Sequence, residues 1–268
     1  MTTPLVLKLG GELLETGGQR SRVAAAACTI AAARPLVIVH GGGRAIDVTL
    51  ERYAIEPRKV DGLRITDEET RDVVVSVLAG SANTTLVAAL VGLGVPAVGL
   101  TGVDAGFAPA IRASRYLATN GAVVDLGFVG DPVDADTSLV ELMLAHGYVP
   151  VIASLGVDGS TILNVNADVM AGRIAAALTA ELVIAGGTPG VLDADGQSIA
   201  TLDAEGIERL IASRTATAGM IAKLDACRAA LMKGVPVVRI VDGSDFAAGE
   251  PIESVRGTTV VLEELGAR

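Results

Sequence analysis

The 268-residue sequence predicts an α/β protein, a three-layer αβα sandwich around a largely parallel central sheet. Three observations carry this. Half of the residues are hydrophobic but only 2% are aromatic, which suits alanine-faced helices packed on valine-rich strands. Short apolar runs alternate with alanine-rich helical stretches, the rhythm of βαβ units. Several strands end directly in glycines, as in Lys8-Leu9-Gly10-Gly11 and His40-Gly41-Gly42-Gly43. Parallel neighbours would bring such turns to one edge of the sheet, where backbone N–H groups and helix N-termini can face an anion.

In chain order, residues 5–9 form an apolar strand, 22–34 a helix, 36–39 a second buried strand, and a helix begins near Arg44. Residues 58–65 read as a hairpin around Asp61-Gly62 that projects Arg64. Thr66 is expected to cap the next helix, with Glu69 completing a capping box. The helix over 81–93 carries Asn83, which needs partners if it is buried. A strand follows over 95–100, a second hairpin strand over 122–129, a helix over 135–146, a strand over 149–153 and a turn over 156–161.

Residues 163–192 organise the chain. Asn164, Asn166 and Asp168 open it, a helix spans 167–178, a strand 182–185, and a glycine-rich turn runs from Gly186 to Gly190. Taken singly, Asn166 and Asp168 also fit plain helix caps. Beyond lie a turn over 193–196, a helix over 203–213, a loop over 215–220, the helix bearing Lys223, and strands over 235–241 and 258–262.

A formal net charge of −10 argues against a general nucleic-acid binder, though a few focused cations can still hold a small anion. Only four of the 21 cationic residues are lysines: Lys8, Lys59, Lys223 and Lys233. Each is a candidate for a role where a compact ammonium differs from a guanidinium. Cys28 and Cys227 lie in helical patterns and read as small buried residues, which fits a cytosolic address better than a disulfide. No apolar run looks long and uncharged enough to span a membrane, and the first strand begins too early to leave room for a signal peptide.

No set of His, Cys and carboxylates has metal-ligand spacing, so a protein-held metal is not expected. The histidines are His40 and His146, with no nucleophile triad, and His40 at the end of a buried strand reads as structural. The dinucleotide fingerprint G-x-G-x-x-G is missing. Cations, glycine turns and one aspartate, without a nucleophile of the protein's own, fit phosphoryl transfer.

Lys8-Leu9-Gly10-Gly11, His40-Gly41-Gly42-Gly43, Gly62-Leu63-Arg64-Ile65-Thr66, Asn164-Val165-Asn166-Ala167-Asp168, and Gly219-Met220 leading to Lys223 together resemble the amino acid kinase family. The resemblance covers essentially the whole chain. It implies that fold, with a substrate and dimerisation lobe over 1–180 and a nucleotide lobe over 181–268. The implied activity is ATP-dependent phosphorylation of the γ-carboxylate of N-acetyl-L-glutamate in arginine biosynthesis, in the cytoplasm. The alternative is a kinase for carrier-protein-linked aminoadipate in lysine biosynthesis. Lys8 and Lys223 would stabilise the transferring group and Asp168 would orient them. Gly11, Gly42 and Gly43 would face the phosphoryl oxygens and substrate, while Arg64 and Asn164 would hold its α-carboxylate and acetamido ends. Gly187, Thr188, Gly190, Val191, Leu192 and Thr217 would serve ATP, with magnesium carried mainly by the nucleotide.

Gly186-Gly187 departs from the polar Ser/Thr-Asp pair of related kinases, which leaves open looser ATP binding or a changed nucleotide preference. The resemblance also implies a homodimer, without the N-terminal helix that builds arginine-inhibited hexamers. Small-molecule substrates are the expected partners, with no nucleic acid and no membrane.

Overall fold

A computed structural model describes residues 2–113, 115–118, 121–213 and 218–262. Its centre is an eight-stranded sheet in the order Thr201–Leu202, Gly257–Val260, Val238–Asp242, Glu181–Gly186, Leu5–Leu9, Leu36–His40, Val149–Ala153 and Ala97–Thr101. The six strands from Val238–Asp242 to Ala97–Thr101 run parallel. Gly257–Val260 is antiparallel to its neighbour, and Thr201–Leu202 runs parallel to Gly257–Val260. The α/β expectation therefore holds, with a reversed edge.

The strand Leu5–Leu9 is buried throughout, and its alternation divides the core in two. Val6 packs with Ile174, Leu182 and Leu224 on one face. Leu5, Leu7 and Leu9 pack with Val23, Ala24 and Leu86 on the other. Lys8 shares the parity of Val6, so it points to the side where the helices Ala167–Ala177 and Ala218–Met232 lie. Those helices touch through small residues: a Cβ added at Gly172 would sit 3.2 Å from Ala230 Cβ. Glu181–Gly186 is paired in register with Leu5–Leu9, so one sheet joins strands from both sides of residue 180.

A smaller four-stranded sheet, Leu155–Asp158, Thr161–Val165, Val129–Pro132 and Ala110–Arg112, stands beyond the C-terminal ends of the parallel strands. Two hairpins flank it, Lys59–Val60 with Leu63–Arg64, and Tyr116–Leu117 with Val123–Val124. The latter resolves the single strand expected over 122–129 into two, Val123–Val124 and Val129–Pro132. The turn expected over 156–161 is tighter, because Val157 pairs with Ile162 and Asp158 with Thr161.

Three helix boundaries differ from expectation. The first helix is Gly17–Ala33, started early by a Thr16–Gln19 capping box that satisfies its free N–H groups. Asp67, not Thr66, caps the helix Glu68–Val75, accepting from Thr70 N–H at 3.0 Å. Thr66 is buried and ties the hairpin to the small sheet, donating to Arg64 O and accepting from Asn164 Nδ2, each at 3.2 Å. Finally, Glu68–Val91 is one helical run, interrupted by a π-helical turn over Ser76–Ala82. It is the one helix among the described residues long and apolar enough to cross a bilayer, which corrects the expectation that no such run exists. Val74, Leu78, Leu86 and Leu90 bury one face of it against the protein, the placement of a core helix.

Candidate active site

The C-terminal ends of neighbouring parallel strands place two glycine turns side by side, and their backbones touch. A Cβ at Gly11 would lie 3.1 Å from Gly42 Cα and 3.2 Å from Gly43 N, so a larger residue would push the two turns apart by a few tenths of an ångström. Gly42 in turn leaves space taken by Leu78, whose Cδ2 would meet an added Cβ at 2.9 Å. The π-helical turn delivers Leu78 there and sets Asn83 behind the site. Such insertions recur next to functional centres because they re-aim side chains.

Asn83 Nδ2 donates to Val151 O at 2.8 Å and lies 3.0 Å from His40 Nε2, while His40 Nδ1 is 3.1 Å from Gly41 O. These contacts fit a neutral imidazole that accepts at Nε2 and donates at Nδ1. Burial lowers the His40 pKa from 6.5 to about 4, against a smaller upward pull from Gly41. His40 is thus a fully buried buttress of the glycine turn, as a strand-ending histidine is expected to be.

Lys8, Asp168 and Lys223 come together although 215 positions separate the first from the last in the sequence. Asn166 caps the helix Ala167–Ala177, accepting from the N–H groups of Asp168 and Val169 at 2.8 and 3.2 Å. That cap sets Asp168 in the first helical turn, where the helix dipole favours its charge. Lys8 Nζ is 2.8 Å from Asp168 Oδ1, and Lys223 Nζ is 3.9 Å from Oδ2. The Lys8 contact is an ion pair out of hydrogen-bond alignment, so Oδ1 has no aligned donor. Burial pushes the Asp168 carboxyl up, but Lys8 and then Lys223 outweigh it and hold it below the usual carboxylate range. For Lys223, burial and then the Lys8 charge lower the ammonium below its ordinary value, against pulls from Asp168 and Glu12.

On one side is a cavity of about 680 Å³ whose lining includes Gly42, Gly43, Arg64, Tyr116, Asn164 and Asn166. Arg64 is only 8% exposed. Its Nη2 donates to Gly43 O at 3.0 Å, whereas its Nη1 is buried without a hydrogen-bond partner among the described residues. A buried guanidinium nitrogen left open in a cavity calls for an acceptor, and a carboxylate supplies one. Tyr116 Oη, 3.1 Å from Asp61 Oδ2, fastens the two hairpins across the mouth.

On the other side the strand Glu181–Gly186 runs into Gly187 and Thr188, both exposed. Gly187 N–H donates to Glu12 Oε1 at 3.1 Å. The Glu12 carboxyl fills room that Gly10 and Gly186 leave: an added Cβ would meet it at 2.4 and 3.2 Å respectively. Gly190 has φ +93 and lies against Thr258, whose Oγ1 would be 2.6 Å from an added Cβ. Thr258 Oγ1 also accepts from Val191 N–H at 2.8 Å. The Val191 side chain is in the core, and Leu192 bridges to Ser198, so these two brace the loop. Thr217 lies outside the described residues.

Sequence reasoning missed Glu12 and Asp47. Both are acidic residues whose sequence positions look like solvated surface. No group of three or more His, Cys, Asp or Glu side chains among the described residues could hold a metal ion.

The family model for the amino acid kinase family matches residues 3–242. This chain belongs to the amino acid kinase family. Among relatives, it is 40% identical over 248 residues to an acetylglutamate kinase of Koribacter versatilis, covering 91% of this chain and 92% of that one. It is 42% identical over 234 residues to an acetylglutamate kinase of Methanopyrus kandleri, covering 85% and 91% respectively. Among solved structures, the N-acetylglutamate synthase of Neisseria gonorrhoeae complexed with coenzyme A and N-acetyl-glutamate superposes with a TM-score of 0.82 at 26% identity. That match covers 98% of this chain but spans only 60% of the synthase. A Giardia lamblia carbamate kinase bound to AMP-PNP, TM-score 0.64 at 16% identity, shares the amino acid kinase fold over 97% of this chain.

Proposed function

We propose that this protein transfers the γ-phosphoryl group of ATP to the γ-carboxylate of N-acetyl-L-glutamate, a step of arginine biosynthesis. The observation that carries the reading is the Lys8–Asp168–Lys223 chain, set between the Arg64 cavity and the glycine loop after Gly186. Acetylglutamate kinase relatives at 40% and 42% identity support the choice of acceptor. Residues up to about 180 then hold the acetylated amino acid, and the rest hold the nucleotide.

Arg64 Nη1 receives the α-carboxylate and Asn164 the acetamido group, which directs the γ-carboxylate toward the glycine turns. That carboxylate is already anionic at neutral pH, so no general base is needed. Its oxygen forms a bond to the γ-phosphorus as the bond to the bridging oxygen breaks, and ADP leaves with that electron pair. Repulsion between the carboxylate and the triphosphate is the barrier the protein must lower. The ammonium groups of Lys8 and Lys223, held by Asp168, offset it, and N–H groups of Gly11, Gly42 and Gly43 face the transferring oxygens. Gly187 and Thr188 meet ATP on the far side. Magnesium enters as the nucleotide's own counter-ion.

Exposed apolar side chains Val91, Leu93, Leu142 and Tyr148, on elements near the edge strand Ala97–Thr101, support a homodimer formed through the substrate lobe. Cys28 and Cys227 are free thiols, which suits the cytoplasm. The test is ADP formation with free N-acetylglutamate beside a carrier-linked aminoadipate acceptor. ADP release with the free amino acid supports the reading; release with the carrier-linked acceptor alone refutes it.

A further inference from the structure

Arg64 is held at an angle that leaves Nη1 for a ligand, and the group that sets the angle is Asp47. The helix Gly43–Arg52 springs from the second glycine turn and carries Asp47 one turn in, facing the hairpin. Asp47 Oδ1 is 2.5 Å from Arg64 Nη2, an ion pair out of hydrogen-bond alignment, and its Oδ2 accepts from Lys59 Nζ at 2.7 Å. Lys59 and Arg64 are cross-strand partners in the hairpin, so one carboxylate grips both strands of that ribbon. Gly43 O, at the start of the same helix, takes the other contact of Nη2. Among the described residues these contacts fall on Nη2, and Nη1 is buried without a hydrogen-bond partner. Burial pushes the Asp47 carboxyl up, but Lys59 and Arg64 more than offset it, so it is anionic across the neutral range.

Within the hairpin clamp, Asp47 neutralises one of the two positive charges that Arg64 and Lys59 bring, while Arg112, Arg115 and Asp131 also line the cavity. Without Asp47 the guanidinium would be free to turn toward solvent, because Gly43 O alone would hold it.

We infer that Asp47 is a positioning residue for substrate recognition, which locks Arg64 by its Nη2 so that Nη1 meets the α-carboxylate of the acceptor. The inference rests on the proposed acceptor. It assigns Asp47 no contact with substrate and no part in phosphoryl transfer.

The test compares Asp47→Asn, Arg64→Ala and the double variant in steady-state kinetics with N-acetylglutamate and ATP. Inhibition by 4-acetamidobutyrate, an analogue that lacks the α-carboxylate, is measured alongside. Asp47→Asn keeps the shape but loses the charge and one of the two acceptor oxygens, so KM for N-acetylglutamate should rise about tenfold or more. The turnover number, KM for ATP and inhibition by 4-acetamidobutyrate should stay within about twofold, and in the Arg64→Ala background the substitution should add almost nothing. A merely structural clamp would weaken both acetamido ligands together. Unchanged KM for N-acetylglutamate in Asp47→Asn, equal weakening of both ligands, or a full effect without Arg64 would each overturn the inference and leave the proposed function standing. A wild-type enzyme inert toward N-acetylglutamate would overturn the proposed function and this inference together.

Discussion

Lys8 ends 2.8 Å from Asp168, so the middle strand of the sheet and the first turn of the helix Ala167–Ala177 meet through opposite charges. Both groups are largely buried, which makes the pair costly unless it serves something more. Lys223 closes on the same carboxylate from a second helix. Two ammonium groups held by one aspartate keep an excess positive charge in a dry place, which is what a migrating phosphoryl group needs.

Lys8→Arg and Lys223→Arg should each lower turnover by roughly a hundredfold or more, the scale of losing one transition-state donor. A guanidinium keeps the charge but is planar and larger, and cannot occupy the compact ammonium position. Circular dichroism should show both variants folded. Near-normal turnover in either would remove that lysine from the chemistry.

Asp168→Asn should lower turnover more than it raises either Michaelis constant, because its task is to place two lysines. It also shifts the pH profile in a defined direction. Asp168 raises the Lys223 pKa against burial and the Lys8 charge, so neutralising it lets that pKa fall further. The alkaline loss of activity should then begin at lower pH in the variant. A pH–rate profile with an unmoved or alkaline-shifted limb would contradict this arrangement.

His40 gives a stability prediction. Its folded pKa of about 4 lies below the ordinary 6.5, so between those values the unfolded chain binds a proton that the native protein refuses. Stability from this group is full above about pH 6.5 and falls as pH drops toward 4, by on the order of 3 kcal/mol in all. Urea unfolding at pH 7.5 and pH 5 should show the loss, and NMR titration should show His40 neutral at pH 5.5. A His40 that titrates near 6.5 would contradict its buried pairing with Asn83.

Glu12 occupies the N–H of Gly187 with an anion of its own, close to where the triphosphate is proposed to lie. Glu12→Gln removes that repulsion, so KM for ATP should fall by a factor of about three, with KM for N-acetylglutamate unchanged. A rise in KM for ATP would show that the carboxylate assists the nucleotide.

The parallel sheet and its glycine turns were legible because both leave local marks: valine-rich runs, then glycines where backbones touch, as at Gly11 and Gly42. Lys8, Asp168 and Lys223 were legible through family motifs, since no local pattern links residues so far apart. Thr66 and Asp67 show the limit of cap rules. Both are good caps, and tertiary demand for the Thr66 hydroxyl by Asn164 decided between them. The π-helical turn over Ser76–Ala82 left no signal, because one extra residue in an apolar helix keeps its composition. Asp47 and Glu12 were illegible for a related reason: an acidic residue on a helix face or after a turn looks solvated until its partner, Arg64 or Gly187, is placed beside it.

The most direct test traps the product. An acyl phosphate on the γ-carboxylate reacts with hydroxylamine to give a hydroxamate, so the enzyme is incubated with ATP, magnesium, N-acetylglutamate and hydroxylamine. The account predicts hydroxamate and ADP in equal amounts from the wild type, and a loss of both in Lys8→Arg and Asp168→Asn. ADP without hydroxamate, or hydroxamate at the wild-type rate from those variants, would contradict it.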